Sequence, residues 1–107
     1  MGFQTYRGGG KEIQIKLIKL NSGVATGIKV SMSKAPLLLI KAEKGFIMCG
    51  YLNIDAASSL GDVAAKVTGV SSFDDMLNAR VVDLTLDAQK IGVKNGMLAR
   101  DALEKMF

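Results

Sequence analysis

Residues 12–20 read EIQIKLIKL, and this stretch decides the class of fold. Its first six residues alternate polar and apolar, a period of two that predicts a half-buried β-strand. Residues 21–23 (NSG) supply the chemistry of a hairpin turn, and residues 24–32 then alternate in the same way. The pattern predicts an antiparallel β-hairpin.

Two further strands are expected after this hairpin. Residues 37–40 (LLLI) form a continuous apolar run, which is typical of a central strand covered on both faces. Residues 43–45 (EKG) turn the chain into residues 46–49 (FIMC), a fourth short strand. Four strands with such short connections predict an antiparallel meander.

The apolar period changes from two to that of a helix near residue 53. Asn53 is a suitable N-cap, and Asp55 lies in the first turn, where a negative charge favours the helix dipole. The helix is predicted to end before Gly69. Its apolar stripe consists of Ala56, Leu60, Val63, Ala64 and Val67.

The remaining chain predicts a second helix, a fifth strand and a last helix. The second helix is expected to start at a Ser72 cap and to end near Ala79. Residues 81–86 alternate as a strand, with Val82, Leu84 and Leu86 inward. Asp87 is then expected to cap a single helical turn ending at Gly92, before a C-terminal helix over residues 97–106.

These elements predict one α+β domain over residues 12–107. The expected architecture is a mostly antiparallel five-stranded sheet, with the helices packed on one face. Residues 1–11 are predicted to be a flexible N-terminal arm, because Gly8, Gly9 and Gly10 offer no side chain to bury. A chain of 107 residues has room for one core of this kind.

The composition excludes several kinds of catalytic and metal site. The chain has no His, so it has no Ser-His or Cys-His couple and no imidazole ligand. It has one Cys, which rules out an intrachain disulfide and a multi-thiolate zinc site. No spacing of carboxylates resembles a calcium loop, and no cofactor fingerprint occurs. Neither a metal nor a cofactor is therefore expected.

Charge is unevenly distributed along the chain. The net charge is +4, but residues 1–50 carry eight basic and two acidic residues, and residues 51–107 carry six basic and eight acidic ones. A basic half attracts anions. Nucleic-acid binding is the least favoured interpretation, because the lysines alternate with aliphatic residues and not with the aromatic residues of a stacking platform.

The sequence favours a cytoplasmic protein. Its apolar runs fall well short of the ~20 residues that a membrane-spanning helix needs, so no membrane association is expected. A single unpaired cysteine suits a reducing compartment.

Two segments carry a resemblance to a known family. Residues 45–53 read GFIMCGYLN, and residues 88–97 read AQKIGVKNGM, followed by RDAL at 100–103. Together they resemble the YunC-like family, small prokaryotic proteins classed as a domain of unknown function. The resemblance spans residues 20–107. It implies a small α+β fold and no settled activity.

The candidate ligand-binding residues are Met48, Cys49, Gly50 and Asn53, at the junction between the fourth strand and the first helix. Gly50 allows close approach to the backbone, a helix N-terminus favours anions, and the two sulfur side chains form an adaptable wall. A small anionic ligand is the expected occupant. The alternative is that this segment is only the tightest packing point between sheet and helix.

Cys49 is the candidate catalytic residue, because a thiol near a helix N-terminus ionises more readily. The competing interpretation is a small buried structural residue. The aspartates and the Asn95-Gly96 turn are further candidates for acid–base and anion sites, but local helix capping and turn formation are the commoner explanation for them.

Three functions stay open at this point. The most favoured is a non-enzymatic ligand-binding or assembly domain, expected to form a homo-oligomer because an open sheet leaves edges and apolar surface to cover. The second is an enzyme or redox protein that uses Cys49 as a nucleophile. The third is a nucleic-acid binder.

Overall fold

The structure is a computed structural model that describes residues 3–8 and 11–107. It contains seven strands: β1 (Phe3–Gly8), β2 (Lys11–Lys19), β3 (Val24–Val30), β4 (Leu37–Lys41), β5 (Phe46–Met48), β6 (Ala64–Lys66) and β7 (Asp83–Leu84). The four helices are α1 (Ile54–Leu60), α2 (Phe73–Asn78), α3 (Leu86–Lys90) and α4 (Ala99–Glu104). The chain is therefore an α+β protein, as predicted.

The strands form a single sheet in sequence order, from β1 to β7. All neighbours are antiparallel except β5 and β6, which run parallel and are joined through α1. The predicted four-stranded meander corresponds to β2–β5. The prediction of five strands was too low, and the sheet is mixed.

The first additional strand is β1, which lies within the segment predicted to be a flexible arm. Phe3–Gly8 pairs with β2, from Phe3 opposite Lys16 to Gly8 opposite Lys11. Gly9 and Gly10 lie outside the described residues, as do residues 1 and 2. The flexibility of residues 1–11 stays a prediction.

The second additional strand, β6, lies within the predicted helix over residues 53–67. The helix ends early because Gly61 adopts a left-handed conformation, with φ of 79°. The amide of Gly61 donates to the carbonyl of Ser58, and that of Asp62 donates to Ala57. This is a Schellman ending, which leaves residues 64–66 free to join the sheet.

The main hydrophobic core lies between one face of the sheet and α2, α3 and α4. The sheet contributes alternate residues, such as Ile18, Ala25, Ile40 and Ile47, all buried. Met106 is fully buried against them, as are the inward residues of α4. This layer is the one that the sequence pattern predicts.

A smaller cluster lies on the opposite face of the sheet, which corrects the prediction that all helices pack on one side. Ile54 and Ala57 of α1 pack there against Met48 and Ala64. Successive residues of a strand point to opposite faces. Met48 therefore belongs to this cluster, while Ile47 belongs to the main core.

The fifth predicted strand is shorter than expected, and only Asp83–Leu84 forms β7. Leu84 packs against the main core, as predicted, but Val82 and Leu86 are exposed, whereas Val81 and Thr85 are buried. Thr85, and not Asp87, caps α3, because its hydroxyl accepts the amide of Ala88. The Ser72 cap of α2 is confirmed.

Candidate functional site

A cavity lies at the carboxyl ends of the two parallel strands, β5 and β6. Its volume is about 310 Å³. Its lining is formed by Ala35, Pro36, Cys49, Gly50, Tyr51, Gly69 and Val70. In sheets with parallel strands, ligands characteristically bind in the crevice between the loops that follow adjacent strands. The loops after β5 and β6 meet in this way.

Two glycines keep the mouth of this cavity open. Gly69 has a φ of 70°, a conformation that residues with a side chain rarely adopt. A Cβ atom built at Gly50 would meet only the Thr68 Cγ2 atom, at 3.8 Å. The backbone of both loops therefore borders empty space.

Cys49 lies at the inner end of the cavity with 3% of its surface exposed. Its Sγ atom accepts the amide of Leu38 at 3.3 Å, and its own amide donates to the Leu38 carbonyl at 3.3 Å. These bonds continue the pairing of β5 with β4 by one residue. The thiol is therefore held in position at the wall of the cavity.

The structure separates the four predicted ligand-binding residues into two groups. Cys49 and Gly50 line the cavity. Met48 is buried on the other face of the sheet, beneath α1. Asn53 caps α1, and its Oδ1 atom accepts the amides of Asp55 at 2.8 Å and Ala56 at 3.2 Å.

The Asn53 cap weakens the argument for an anion at this helix. Its side chain already occupies two of the amides that would have bound one. The helix has only seven residues. The charge argument for an anionic ligand therefore has to rest on other groups.

Those groups are backbone amides of the cavity loops. In the described part of the chain, the amides of Gly50, Tyr51, Gly69 and Val70 donate to no protein acceptor. The lining carries no charged side chain. The cavity therefore has apolar walls and is bordered by loops whose amides have no protein acceptor, a combination that suits a small molecule with an apolar body and an acceptor group.

Sequence reasoning missed most of the lining. Tyr51 directly follows the predicted residues and is half exposed. Gly69 is predicted from the sequence to follow the end of the first helix, because the early helix stop at Gly61 was not predicted, and no prediction covers Val70. Ala35 and Pro36 come from the β3–β4 connection, and no local signal in the sequence brings that connection to Cys49.

Asp75 holds the loop after β6 in place. Its carboxylate accepts the hydroxyl of Ser71 at 2.9 Å and the Ser71 amide at 3.1 Å. These bonds, the hydroxyl's first, lower the pKa of Asp75. The carboxylate thus supports the cavity wall next to Val70.

The other predicted sites are accounted for locally. At the Asn95-Gly96 turn, the Gly96 amide donates to the Val81 carbonyl at 2.8 Å, so it is not free to bind an anion. Among the described residues, no three Cys, Asp or Glu side chains lie close enough to hold a metal ion. No helix in that part of the chain is long and apolar enough to cross a membrane.

A larger cleft of about 480 Å³ lies beside β7 and α3. It is lined largely by exposed polar side chains, such as Asp83, Gln89 and Lys94. Exposed chains of this kind are not held in a fixed geometry. The cavity at Cys49 is the better candidate, because its apolar walls and its loops are fixed by the sheet.

Comparison with known proteins places this architecture in a family. The sequence profile of DUF1805, described as a domain of unknown function, matches residues 48–106. The chain belongs to the DUF1805 family. The matched DUF1805 segment begins at Met48 and contains both cavity loops.

Two relatives agree with this assignment to DUF1805. An uncharacterized protein from Bacillus subtilis (strain 168), YunC, is 33% identical over 86 residues, which cover 77% of this chain and 85% of YunC. This confirms the YunC-like resemblance. The crystal structure of a protein of unknown function from Thermoplasma acidophilum, TA1206, is 40% identical, with a TM-score of 0.88. The match covers 95% of this chain and 99% of TA1206.

Proposed function

We propose that this protein is a non-enzymatic domain that binds a small ligand in the cavity at Cys49 and associates with itself. One observation supports ligand binding above the others. The cavity lies where the loops after two parallel strands meet, and four backbone amides of those loops have no protein acceptor among the described residues.

The ligand chemistry follows from the lining. Apolar walls formed by residues such as Pro36 and Val70 accept a hydrocarbon or aromatic group. The amides of Gly50 and Gly69 are suited to an acceptor such as a carboxylate, and the net positive charge of the chain favours an anion. A small organic acid fits both requirements.

A protein-observed NMR titration with small aromatic and aliphatic carboxylates, such as benzoate and hexanoate, tests this function. Binding should shift the backbone amide signals of Gly50, Tyr51, Gly69 and Val70. The Gly50→Leu variant should abolish the shifts, because its side chain fills open space at the cavity. Ser59→Leu on the exposed side of α1 is the matched control. Shifts that survive Gly50→Leu would contradict the assignment.

A second candidate is a nucleophilic thiol, favoured because Cys49 borders the cavity. Its alkylation by iodoacetamide should be compared in folded and denatured protein, with Cys49→Ala as the blank. A structural cysteine reacts only when the chain unfolds, whereas a nucleophile reacts faster in the folded state at neutral pH. Faster reaction in the folded protein would favour an enzyme over a binding protein.

The nucleic-acid interpretation receives less support. The register places Lys16 and Lys29 on the face of the sheet that α2 to α4 cover, whereas Lys41 lies on the opposite face. A groove that binds along the phosphate backbone of a nucleic acid needs its basic residues on one surface.

A further inference from the structure

A band of aliphatic residues crosses the open part of the sheet. Strand pairing places Ile13 opposite Val30, Ile15 opposite Ile28, and Lys19 opposite Val24. Alternation puts these residues and Leu17 on one face. We call this surface the open sheet face, formed by Ile13, Ile15, Leu17, Val24, Ile28 and Val30. Ile13, Leu17 and Val24 are 40%, 42% and 47% exposed.

The described helices leave the open sheet face uncovered. Helices α2 to α4 pack on the opposite side of the sheet. Helix α1 is on the same side, but its seven residues span only about 10 Å and contact the β5–β6 end. Leu39 pairs with Ile28 in register and also packs against the α1 cluster. The open sheet face is therefore continuous with a buried apolar cluster.

Most polar residues of the same strands point the other way, while Thr26 and Lys19 share the open sheet face. Gln14 and Lys16 alternate with Ile13, Ile15 and Leu17, and Lys29 pairs with Gln14. The alternation therefore places the aliphatic residues on the side of the sheet that the described helices leave uncovered. They leave on the order of 300 Å² of apolar surface in water, which is comparable to the largest contiguous patch of a typical monomer, a kind of patch that is often functional.

We propose that the open sheet face is covered by the same face of a second copy of this chain. A sheet surface made mostly of aliphatic side chains, with Thr26 as a polar residue among them, complements itself, as a two-fold interface requires. A standard interface buries about 800 Å² per partner, a little over half of it apolar. The open sheet face supplies most of that apolar share.

The charges also favour a two-fold pairing. On β2 to β4 from residue 13 onward, the charged residues of this face are Lys19 and Lys41, both near the β2–β3 turn. When two copies pack with their strands antiparallel, these lysines lie over the opposite end of the partner's sheet face. Like charges are then kept apart, and stacked sheets pack about 10 Å from each other.

This inference rests on the self-association part of the proposed function and is independent of the cavity. Light scattering after size exclusion tests it, and we expect a mass of twice 11.4 kDa that falls on dilution. The Leu17→Lys variant should raise the dissociation constant by about 100-fold or more, because it places a charge in an apolar contact. Ligand binding at the cavity should persist in that variant.

Gln14→Lys is the matched control, since it adds the same charge to the same strand on the other face. Circular dichroism should show that both variants are folded, because both positions are partly exposed. In wild-type protein, the methyl NMR signals of Ile13, Ile15 and Ile28 should shift between low and high concentration. A wild-type monomer at high concentration, or an assembly that Leu17→Lys leaves intact, would overturn the proposal.

Discussion

At the scale of single residues, Glu104 connects α4 to the turn between β2 and β3. Its carboxylate accepts the amide of Asn21 at 3.0 Å and that of Ser22 at 2.7 Å. These residues are 83 and 82 positions away in sequence. A carboxylate therefore supplies the acceptors for the turn between β2 and β3, and ties that turn to α4.

This contact predicts a specific pH dependence. The Ser22 hydroxyl and the two amides hold the pKa of Glu104 below its usual value of 4.5. A lowered pKa in the folded state stabilises the fold above the unfolded value, and this stability is lost as the pH falls through the folded value. Glu104→Gln should lower the melting temperature at pH 7 and flatten its decline below pH 4.5.

Thermal melting from pH 7 to pH 3 measures the effect. Glu43→Gln is the control, because Glu43 is exposed and accepts no hydrogen bond from the described residues. If the melting temperature fell equally steeply with pH in wild type and in Glu104→Gln, the Glu104 carboxylate would not contribute to the pH dependence of stability.

At the scale of elements, Thr85 joins three of them through one buried hydroxyl. The Oγ1 atom donates to the Asp62 carbonyl at 2.7 Å and accepts the amides of Ala64 at 3.1 Å and Ala88 at 3.2 Å. The hydroxyl thus links the end of α1, strand β6 and helix α3. Its side chain is 2% exposed.

Thr85→Val should therefore be strongly destabilising despite its similar shape. It leaves a carbonyl and two amides without their partner, and each unsatisfied buried group costs about 1–3 kcal/mol. Urea denaturation should show that the free energy of unfolding falls by about 2–4 kcal/mol, because relaxation of the structure or entry of water relieves some of the penalty. Thr68→Val, at an exposed position, should change stability by less than about 0.5 kcal/mol. If Thr85→Val left the free energy of unfolding nearly unchanged, the three hydrogen bonds of the Thr85 hydroxyl would not be needed for stability.

The same elements show which parts of the fold could be read from the sequence. The β2–β5 meander and the Ser72 cap follow from local alternation and capping chemistry, which the structure keeps. Strand β6 was missed because Ala64 and Val67 fit a helical stripe equally well. Only the left-handed Gly61 decides between the two, and a glycine within a small-residue helix carries little signal on its own.

The candidate site also has one part that the sequence predicts and another part that it does not. The prediction at Cys49 and Gly50 was based on a strand ending in a glycine, and both residues line the cavity. The other wall depends on β6 lying parallel to β5. A parallel neighbour is a non-local pairing, so residues 69–70 and 35–36 could not be placed from the sequence.

At the scale of the whole molecule, burial falls from the middle of the sheet to its edges. Leu38, Ile40 and Ile47 are fully buried. Strand β5 has neighbours on both sides and helices over both faces, whereas β1 is an edge strand. Local stability should follow the same gradient, because amides open more easily where fewer apolar contacts must break.

Hydrogen exchange followed by mass spectrometry should show this gradient. Peptides from β4 and β5 should exchange slowest, at rates set by global unfolding, and peptides covering residues 1–11 should exchange fastest, as the flexible arm predicts. If residues 3–8 were as strongly protected from exchange as β4, the prediction that residues 1–11 form a flexible arm would be wrong. A comparison at high and low protein concentration separates protection by the fold from protection by self-association.

The position of α4 in the core has a consequence for the protein as it is made. Ala102, Leu103 and Met106 are fully buried, and the Met106 carbonyl accepts the amide of Lys44. Strands synthesised earlier are thus covered by residues synthesised later. A ribosome exposes the meander before its cover exists, and at 5–20 residues per second this interval is on the order of seconds. The nascent sheet should therefore depend on chaperones, and folding should complete only once residues 99–106 have left the exit tunnel.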